Sequence, residues 1–133
     1  MVTSNQGAHA LLTESSKQLA PACVLVVDDD SGVRSVVARA LQDAGYAALT
    51  AGNGGEALEL LEHSRNAIDL VITDIRMPRL GGIELGREIS AREWAIPVVY
   101  MSADPSEAPG VHCLCKPFPL ATLLATVGQL VAW

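Results

Sequence analysis

Carboxylates follow two apolar segments of the chain. Residues 70–73 run into Asp74, and residues 23–27 run into three consecutive aspartates. These three are Asp28, Asp29 and Asp30. Short apolar segments rich in β-branched residues are typical of buried strands, and Pro78 and the glycines at 81–82 supply the break that ends such a strand. We therefore predict that both groups of carboxylates lie at strand ends.

The chemistry of this arrangement follows from the topology that would create it. If the two strands are parallel neighbours, their carboxyl ends meet at one edge of the sheet, where open α/β sheets bind ligands. Carboxylates that crowd together repel one another strongly unless protons or a cation intervene. Mg²⁺ takes oxygen ligands and suits such a site. The pattern therefore predicts an acidic site for Mg²⁺.

The composition limits the class of protein. The chain has 133 residues, half of them hydrophobic, which suits one domain with an ordinary core. A net charge of −6 argues against nonspecific binding to nucleic acid or to anionic membranes. No apolar segment is long enough to span a bilayer. Three cysteines, an odd number, do not indicate a disulfide framework, so we expect a reducing, cytoplasmic location.

Strand and helix patterns alternate along residues 23–131, whereas residues 1–22 have weak periodicity and are predicted to form a disordered tail. The alternation implies an α/β domain with a parallel sheet and right-handed crossovers. The predicted strands are residues 23–27, 46–50, 68–73, 97–101 and 111–115. The apolar periodicity of the first helix places Val36 on its inward face, and that of the last helix does the same for Leu120.

Four short motifs at the predicted strand ends resemble those of a known family. They are Val-Val-Asp-Asp-Asp at 26–30, Thr-Asp-Ile-Arg-Met-Pro at 73–78, Tyr-Met-Ser-Ala at 100–103 and Cys-Lys-Pro-Phe at 115–118. In this order they resemble the receiver domain of two-component response regulators, over residues 23–131. The resemblance implies a flavodoxin-like, doubly wound sheet of five parallel strands in the order 2-1-3-4-5.

The resemblance also assigns the metal ligands. It matches Asp74 to the phosphoacceptor, which also binds the ion. Asp29 matches the carboxylate that binds Mg²⁺ directly, and Asp28 the one that assists, often through water. The backbone carbonyl of Arg76 matches the third protein ligand.

Two further positions match residues that contact the phosphoryl group. Ser102 matches the hydroxyl and Lys116 the lysine of the family's site, and the bond from Lys116 to Pro117 is typically cis there. The chemistry agrees with this assignment. An ionised carboxylate needs no general base to attack phosphorus, and phosphoryl transfer requires alignment and cancellation of charge on the equatorial oxygens.

By resemblance, the chain takes a phosphoryl group from a histidine kinase or a histidine phosphotransfer protein, and is a signalling phosphoacceptor rather than an enzyme. We expect a stand-alone receiver domain or one from a hybrid kinase, with no output domain after Trp133, no direct nucleic-acid binding and no membrane partner. Two alternatives stay open. One is a small phosphatase of the haloacid dehalogenase type, which would use Asp28 and Asp30 as its Asp-x-Asp pair. The other is a receiver-like binding module that works without phosphorylation.

Two departures from the family concern how a signal would be transmitted. Only residues 103–110 separate the fourth and fifth predicted strands, and they include two prolines and a glycine. A parallel crossover usually takes about a dozen residues, so the helix that the family has there must be reduced or absent. Cys113 stands where the family usually has an aromatic switch residue, three positions before Lys116.

Two local patterns give weaker hypotheses. The sequence His-Cys-Leu-Cys at 112–115 could suggest a metal site, but two thiols without a second pair are more often small core residues. Arg76 and Asp104 each lie two residues after a site residue, and an opposite-charge pair there could bridge the entrance. The alternative is that both side chains point into solvent, where an ion pair contributes little.

Overall fold

In the computed structural model, which describes residues 21–107 and 112–131, five parallel strands form one sheet in the order β2-β1-β3-β4-β5. The strands are β1 (Cys23–Val27), β2 (Ala47–Ala51), β3 (Leu70–Asp74), β4 (Val98–Ser102) and β5 (Cys113–Cys115). The predicted fold class and strand order are confirmed. Among the described residues, we find no helix with the length and apolar character that a bilayer crossing requires.

In the described part of the chain, four α-helices connect or follow the strands. They are α1 (Ser31–Asp43), α2 (Gly54–Ser64), α3 (Gly82–Ala91) and α4 (Leu120–Val131). A 3₁₀ turn, Arg65–Ala67, follows α2. The chain leaves α1 through Gly45, whose φ of 99° favours glycine, which has no Cβ to clash in that conformation.

The sheet is buried on both faces because the helices cover both. Along β1, Val24 and Val26 face the side covered by α1 and α4, and Leu25 and Val27 face the side covered by α2 and α3. All four side chains are completely buried. Such continuous apolar strands are what a doubly covered parallel sheet requires.

Two of the predicted inward side chains are exposed. Val36 is 56% exposed, because the buried side of α1 is formed by Val37, Ala38 and Leu41, with Val33 packed against the same core, and Val36 lies outside this stripe. Leu120 is 42% exposed as the first residue of α4, where no preceding helical turn covers it. The predicted burial of both residues was wrong.

The connection between β4 and β5 is short. Its described part contains one 3₁₀ turn, Pro105–Glu107, and no α-helix. Residues 108–111 lie outside the described residues, as do residues 1–20, on which nearly all of the predicted disordered tail falls. The expectation of a reduced helix therefore agrees with what the structure describes of this connection.

A close backbone contact at Gly82 fixes the start of α3 against the end of β3. The Gly82 N–H donates to the carbonyl of Ile75 at 2.9 Å. A Cβ atom on Gly82 would lie 2.1 Å from the carbonyl oxygen of Asp74, which is inside van der Waals contact with backbone. Only glycine fits this approach without moving the chain.

We expect Gly82→Ala to lower the free energy of unfolding by roughly 2–3 kcal/mol, because the backbone around Asp74 must shift to admit the methyl group. Urea unfolding followed by circular dichroism would measure this. The matched control is Gly128→Ala within α4, where the new Cβ would meet only the Tyr46 hydroxyl oxygen at 3.9 Å. That variant should gain up to about 1 kcal/mol from helix propensity. Equal stability of the two variants would contradict the packing argument.

Candidate functional site

The ends of two adjacent strands bring three carboxylates together. Asp74 is the last residue of β3, and Asp28 directly follows β1, its neighbour in the sheet. One carboxylate oxygen from each of Asp28, Asp29 and Asp74 lies within 4.8 Å of the others. Asp28 is completely buried, Asp74 is half-buried and Asp29 is exposed. The cluster therefore reaches from the protein interior to solvent.

Lys116 bridges two of these carboxylates from the end of β5. Its Nζ lies 3.2 Å from Oδ2 of Asp28 and 3.4 Å from Oδ1 of Asp74. The lysine follows β5 directly, and its peptide bond to Pro117 is cis, as expected. Residues from β1, β3 and β5 thus meet at one edge of the sheet.

The charges of this cluster do not cancel, since it has three carboxylates and one ammonium, which pairs with two of them. Burial raises the pKa of Asp74, and the nearby Asp28 raises it further, so that the opposing effect of Lys116 is outweighed. Burial by itself would lower the pKa of Lys116, but Asp28 and Asp74 together outweigh it and raise that pKa. The excess negative charge and the oxygen donors fit a hard divalent cation such as Mg²⁺.

Backbone groups hold the two buried carboxylates in place. Oδ1 of Asp28 accepts from the Asp30 N–H at 2.9 Å, and Oδ1 of Asp74 accepts from the Ile75 N–H at 3.0 Å. The carbonyl of Asp28 also accepts from the Arg34 guanidinium at 2.7 Å. In this arrangement Oδ2 of Asp28 and Oδ1 of Asp74 contact the Lys116 ammonium.

Asp30 has a different structural role from Asp28 and Asp29. Its side chain caps α1, because Oδ1 accepts from the Gly32 N–H at 2.9 Å and from the Val33 N–H at 3.2 Å. A capping carboxylate is held by the helix N-terminus. Asp30 is accordingly not among the three residues of the carboxylate cluster.

Ser102 lies at the end of β4 and is buried, with its hydroxyl bonded to the following connection. The hydroxyl oxygen accepts from the Asp104 N–H at 3.0 Å. Its single proton has two acceptors within reach, the Asp104 carbonyl at 2.8 Å and Oε1 of Glu107 at 3.0 Å. The other carboxylate oxygen of Glu107 pairs with the guanidinium of Arg76.

Glu107 was not predicted as a site residue. The available signal was weak: Glu107 and Asp104 are the two acidic residues between β4 and β5. The 3₁₀ turn Pro105–Glu107 directs Glu107 back toward Ser102.

The hypothetical bridge between Arg76 and Asp104 does not form. Arg76 pairs with Glu107 instead, and the Asp104 carboxylate accepts from the Ser106 N–H at 3.0 Å and the Ser106 hydroxyl at 2.7 Å. These bonds lower the pKa of Asp104. The Asp104 carboxylate is occupied by its bonds to Ser106, because it caps the 3₁₀ turn. Glu107 lies at the end of that turn, within reach of Arg76. The bridging hypothesis therefore had the correct arginine but the wrong carboxylate.

A cavity of about 400 Å³ opens onto the site. Asp74, Ser102 and Lys116 line it together with Arg76 and Glu107. It therefore gives access to the Asp74 carboxylate beside a hydroxyl, an ammonium and a guanidinium, which are the kinds of donor that an anionic group needs.

Among the described residues, the acidic trio is the group of side chains whose donor atoms are close enough to share a metal ion. His112, Cys113 and Cys115 do not form such a group, although all three are described. Cys113 is half-buried and Cys115 exposed. The structure therefore gives no support to a metal site at residues 112–115.

The response regulator receiver domain profile matches residues 24–127. Response regulator MprA from Mycobacterium sp. (strain KMS) is 36% identical over 119 residues, which are 84% of this chain and 51% of MprA. The DNA-binding transcriptional regulator NtrC from Escherichia coli (strain K12) is 36% identical over 117 residues, 82% of this chain and 24% of NtrC. The chain thus spans about half, or less, of the length of these relatives.

Solved structures show the same fold. Chemotaxis protein CheY4 from Vibrio cholerae has a TM-score of 0.75 at 34% identity and covers 84% of this chain and 100% of its own. The receiver domain from hybrid histidine kinase CckA has a TM-score of 0.73 at 37% identity and covers 82% of this chain and 98% of its own. TrrA from Thermotoga maritima, solved in complex with Mg²⁺ and BeF, has a TM-score of 0.76 at 30% identity. It covers 83% of this chain and 99% of its own.

Topology, strand-end residues and relatives agree. A parallel sheet in the order 2-1-3-4-5 carries the acidic cluster and Lys116 at one edge. The match over residues 24–127 includes nearly all of the described structure. The chain belongs to the receiver domain family of two-component response regulators.

Proposed function

We propose that the chain is a phosphoacceptor that takes a phosphoryl group onto Asp74 and does so with Mg²⁺. The observation that carries the proposal is the cluster of Asp28, Asp29 and Asp74 with Lys116 between two of its members. The accessible cavity beside Asp74 supports it, because a phosphodonor must reach that carboxylate.

In the proposed reaction an Asp74 carboxylate oxygen attacks the phosphorus of a phosphohistidine. The new oxygen–phosphorus bond forms as the nitrogen–phosphorus bond breaks, and the electron pair of that bond leaves with the imidazole. Lys116 offers positive charge, and Ser102 offers a hydroxyl, to the phosphoryl oxygens. The product is an acyl phosphate on the protein, so the chain acts as a signalling acceptor with only autocatalytic transfer and hydrolysis.

Asp28 and Asp29, the Asp74 carboxylate and the backbone carbonyl of Arg76 are the proposed ligands of Mg²⁺. When bound, the ion supplies positive charge that offsets the phosphoryl oxygens. The three carboxylates fit this use because Lys116 leaves them with excess negative charge. The match of Arg76 rests on its place in the motif at 73–78.

The proposed partner is a histidine kinase or a histidine phosphotransfer protein in the cytoplasm. The position of Asp30 counts against the phosphatase alternative. That mechanism needs Asp28 and Asp30 to face one substrate, whereas the Asp30 side chain accepts two bonds from the start of α1. The alternative of a binding module that works without phosphorylation makes a different prediction in the experiment below.

Removal of Mg²⁺ should slow phosphorylation of the wild-type protein by acetyl phosphate at least about 100-fold, because the ion contributes several kcal/mol to charge stabilisation. Intact-mass spectrometry in Mg²⁺ and in excess EDTA would measure the two rates. Restoring Mg²⁺ above the EDTA concentration is the control and should restore the rate. An unchanged rate in EDTA would contradict the role of the ion, and no modification under either condition would favour the binding module.

A further inference from the structure

Glu107 connects two groups at the mouth of the site. One carboxylate oxygen lies 3.0 Å from the Ser102 hydroxyl, and the other pairs with the Arg76 guanidinium. Glu107 is 22% exposed along its side chain, so these contacts are partly shielded from water. A single anion thus engages a hydroxyl and a cation that both line the cavity beside Asp74.

A phosphoryl group on Asp74 would need the same donors. Its oxygens carry negative charge, and the hydroxyl of Ser102 and the guanidinium of Arg76 lie in the wall of the cavity that it would enter. Ser102 has one proton, which is within reach of the Asp104 carbonyl at 2.8 Å and of Glu107 at 3.0 Å, and a phosphoryl group that accepts it would take it from both. The negative charges of Glu107 and the phosphoryl group also repel each other.

We propose that Glu107 is a competing anion. Its carboxylate binds the Ser102 hydroxyl and the Arg76 guanidinium until Asp74 is phosphorylated, and it competes with the phosphoryl group for these two donors. The inference rests on the proposed function of Asp74. Phosphorylation displaces Glu107 from Ser102, and the 3₁₀ turn Pro105–Glu107 then rearranges. Glu107 is a positioning residue, because it acts through Ser102 and Arg76.

The connection is built so that release of Glu107 has an effect beyond the site. Two hydrogen bonds hold its 3₁₀ turn. The Asp104 N–H donates to the Ser102 hydroxyl oxygen, and the Glu107 N–H donates to the Asp104 carbonyl at 3.1 Å. When Ser102 rotates toward a phosphoryl group, the first of these bonds is lost. The change therefore reaches the segment where the family usually has a helix.

The test uses beryllofluoride with Mg²⁺ as an anionic probe that stands in for the phosphoryl group. Glu107→Gln keeps the shape of the side chain and removes its charge, and we expect it to bind the probe about tenfold more tightly than wild type in a calorimetric titration. The matched control is Asp104→Asn, which removes one negative charge from the same cavity wall but from a carboxylate bonded to Ser106. Its affinity should stay within about twofold of wild type.

Two readouts separate competition from a general charge effect. In a Ser102→Ala background the Glu107→Gln gain should shrink, giving a non-additive double mutant. Amide hydrogen exchange of Asp104 and Glu107 should become faster when wild type binds the probe. Thermal unfolding should show that all variants remain folded, since the Arg76 side chain is 80% exposed and an ion pair with a solvated partner contributes little to stability.

The outcomes distinguish this inference from the proposed function. If wild type binds the probe and Asp74→Asn does not, the acceptor role stands. If Glu107→Gln and Asp104→Asn then increase the affinity for beryllofluoride equally, or if neither increases it, the competing-anion proposal alone is overturned. Binding by Glu107→Gln with little binding by wild type would support it. If no variant binds the probe, both proposals fail.

Discussion

The Asp74→Asn variant is expected to take up no phosphoryl group from acetyl phosphate under conditions that modify the wild-type protein once. In the reaction proposed for the wild type, a carboxylate oxygen attacks phosphorus and acetate leaves with the electrons of the broken oxygen–phosphorus bond. An amide is neutral and a poor nucleophile, so the substitution should remove the reaction completely. Intact-mass spectrometry in Mg²⁺ measures the uptake directly.

The variant should remain folded, which makes the result interpretable. Burial and the neighbouring Asp28 raise the pKa of Asp74, so the folded protein disfavours its ionised form. A neutral side chain of the same shape removes this repulsion at neutral pH, and Lys116 retains Asp28 as its partner. Urea unfolding should therefore show no loss of stability.

Asp43→Asn is the matched control for this experiment. Asp43 is an exposed aspartate in the last turn of α1 and pairs only with Arg39 among the described ion pairs. Its substitution should leave phosphorylation unchanged, and hydroxylamine should release the phosphoryl group from the control as it does from the wild type. Persistent modification of Asp74→Asn, at any carboxylate, would reject Asp74 as the acceptor.

Strand ends are the part of the site that could be predicted from the sequence. Unlike Lys116, which was assigned from the resemblance of its motif, Asp28 follows and Asp74 ends a buried apolar strand, and a parallel sheet brings such ends to one edge. The prediction needed no side-chain geometry, since the backbone alone sets the meeting point. The two-sided burial of β1 was predictable for the same reason, because a strand that is apolar throughout requires cover on both faces.

Side-chain partners across the short connection could not be predicted in this way. Asp104 and Glu107 are three residues apart, and which of them meets Arg76 depends on the 3₁₀ turn between them. That turn has no periodic signal, and an Asp that caps it is satisfied locally by Ser106. Likewise, the periodicity of α1 indicated an apolar face but not its width, so the exposure of Val36 emerged only from the packing.

Asp29→Ala is expected to weaken Mg²⁺ binding at least about 100-fold, whereas Asp30→Ala should leave it within about threefold of wild type. Asp29 contributes an oxygen to the carboxylate cluster, and outer-shell partners of a metal already affect affinity by roughly 10–100-fold. A direct ligand should matter at least as much. Isothermal titration calorimetry would measure the affinities.

The two substitutions should have the opposite order in their effects on stability. Asp30 accepts from the N–H groups of Gly32 and Val33, so its loss leaves the start of α1 uncapped and costs about 1 kcal/mol in urea unfolding. Asp29 is exposed and is a member of a cluster with excess negative charge, so its removal in the absence of Mg²⁺ should cost less. Each variant is thus the control for the other. Equal losses of Mg²⁺ affinity would contradict the division of roles between adjacent aspartates, because a capping side chain cannot bind the ion without releasing the helix.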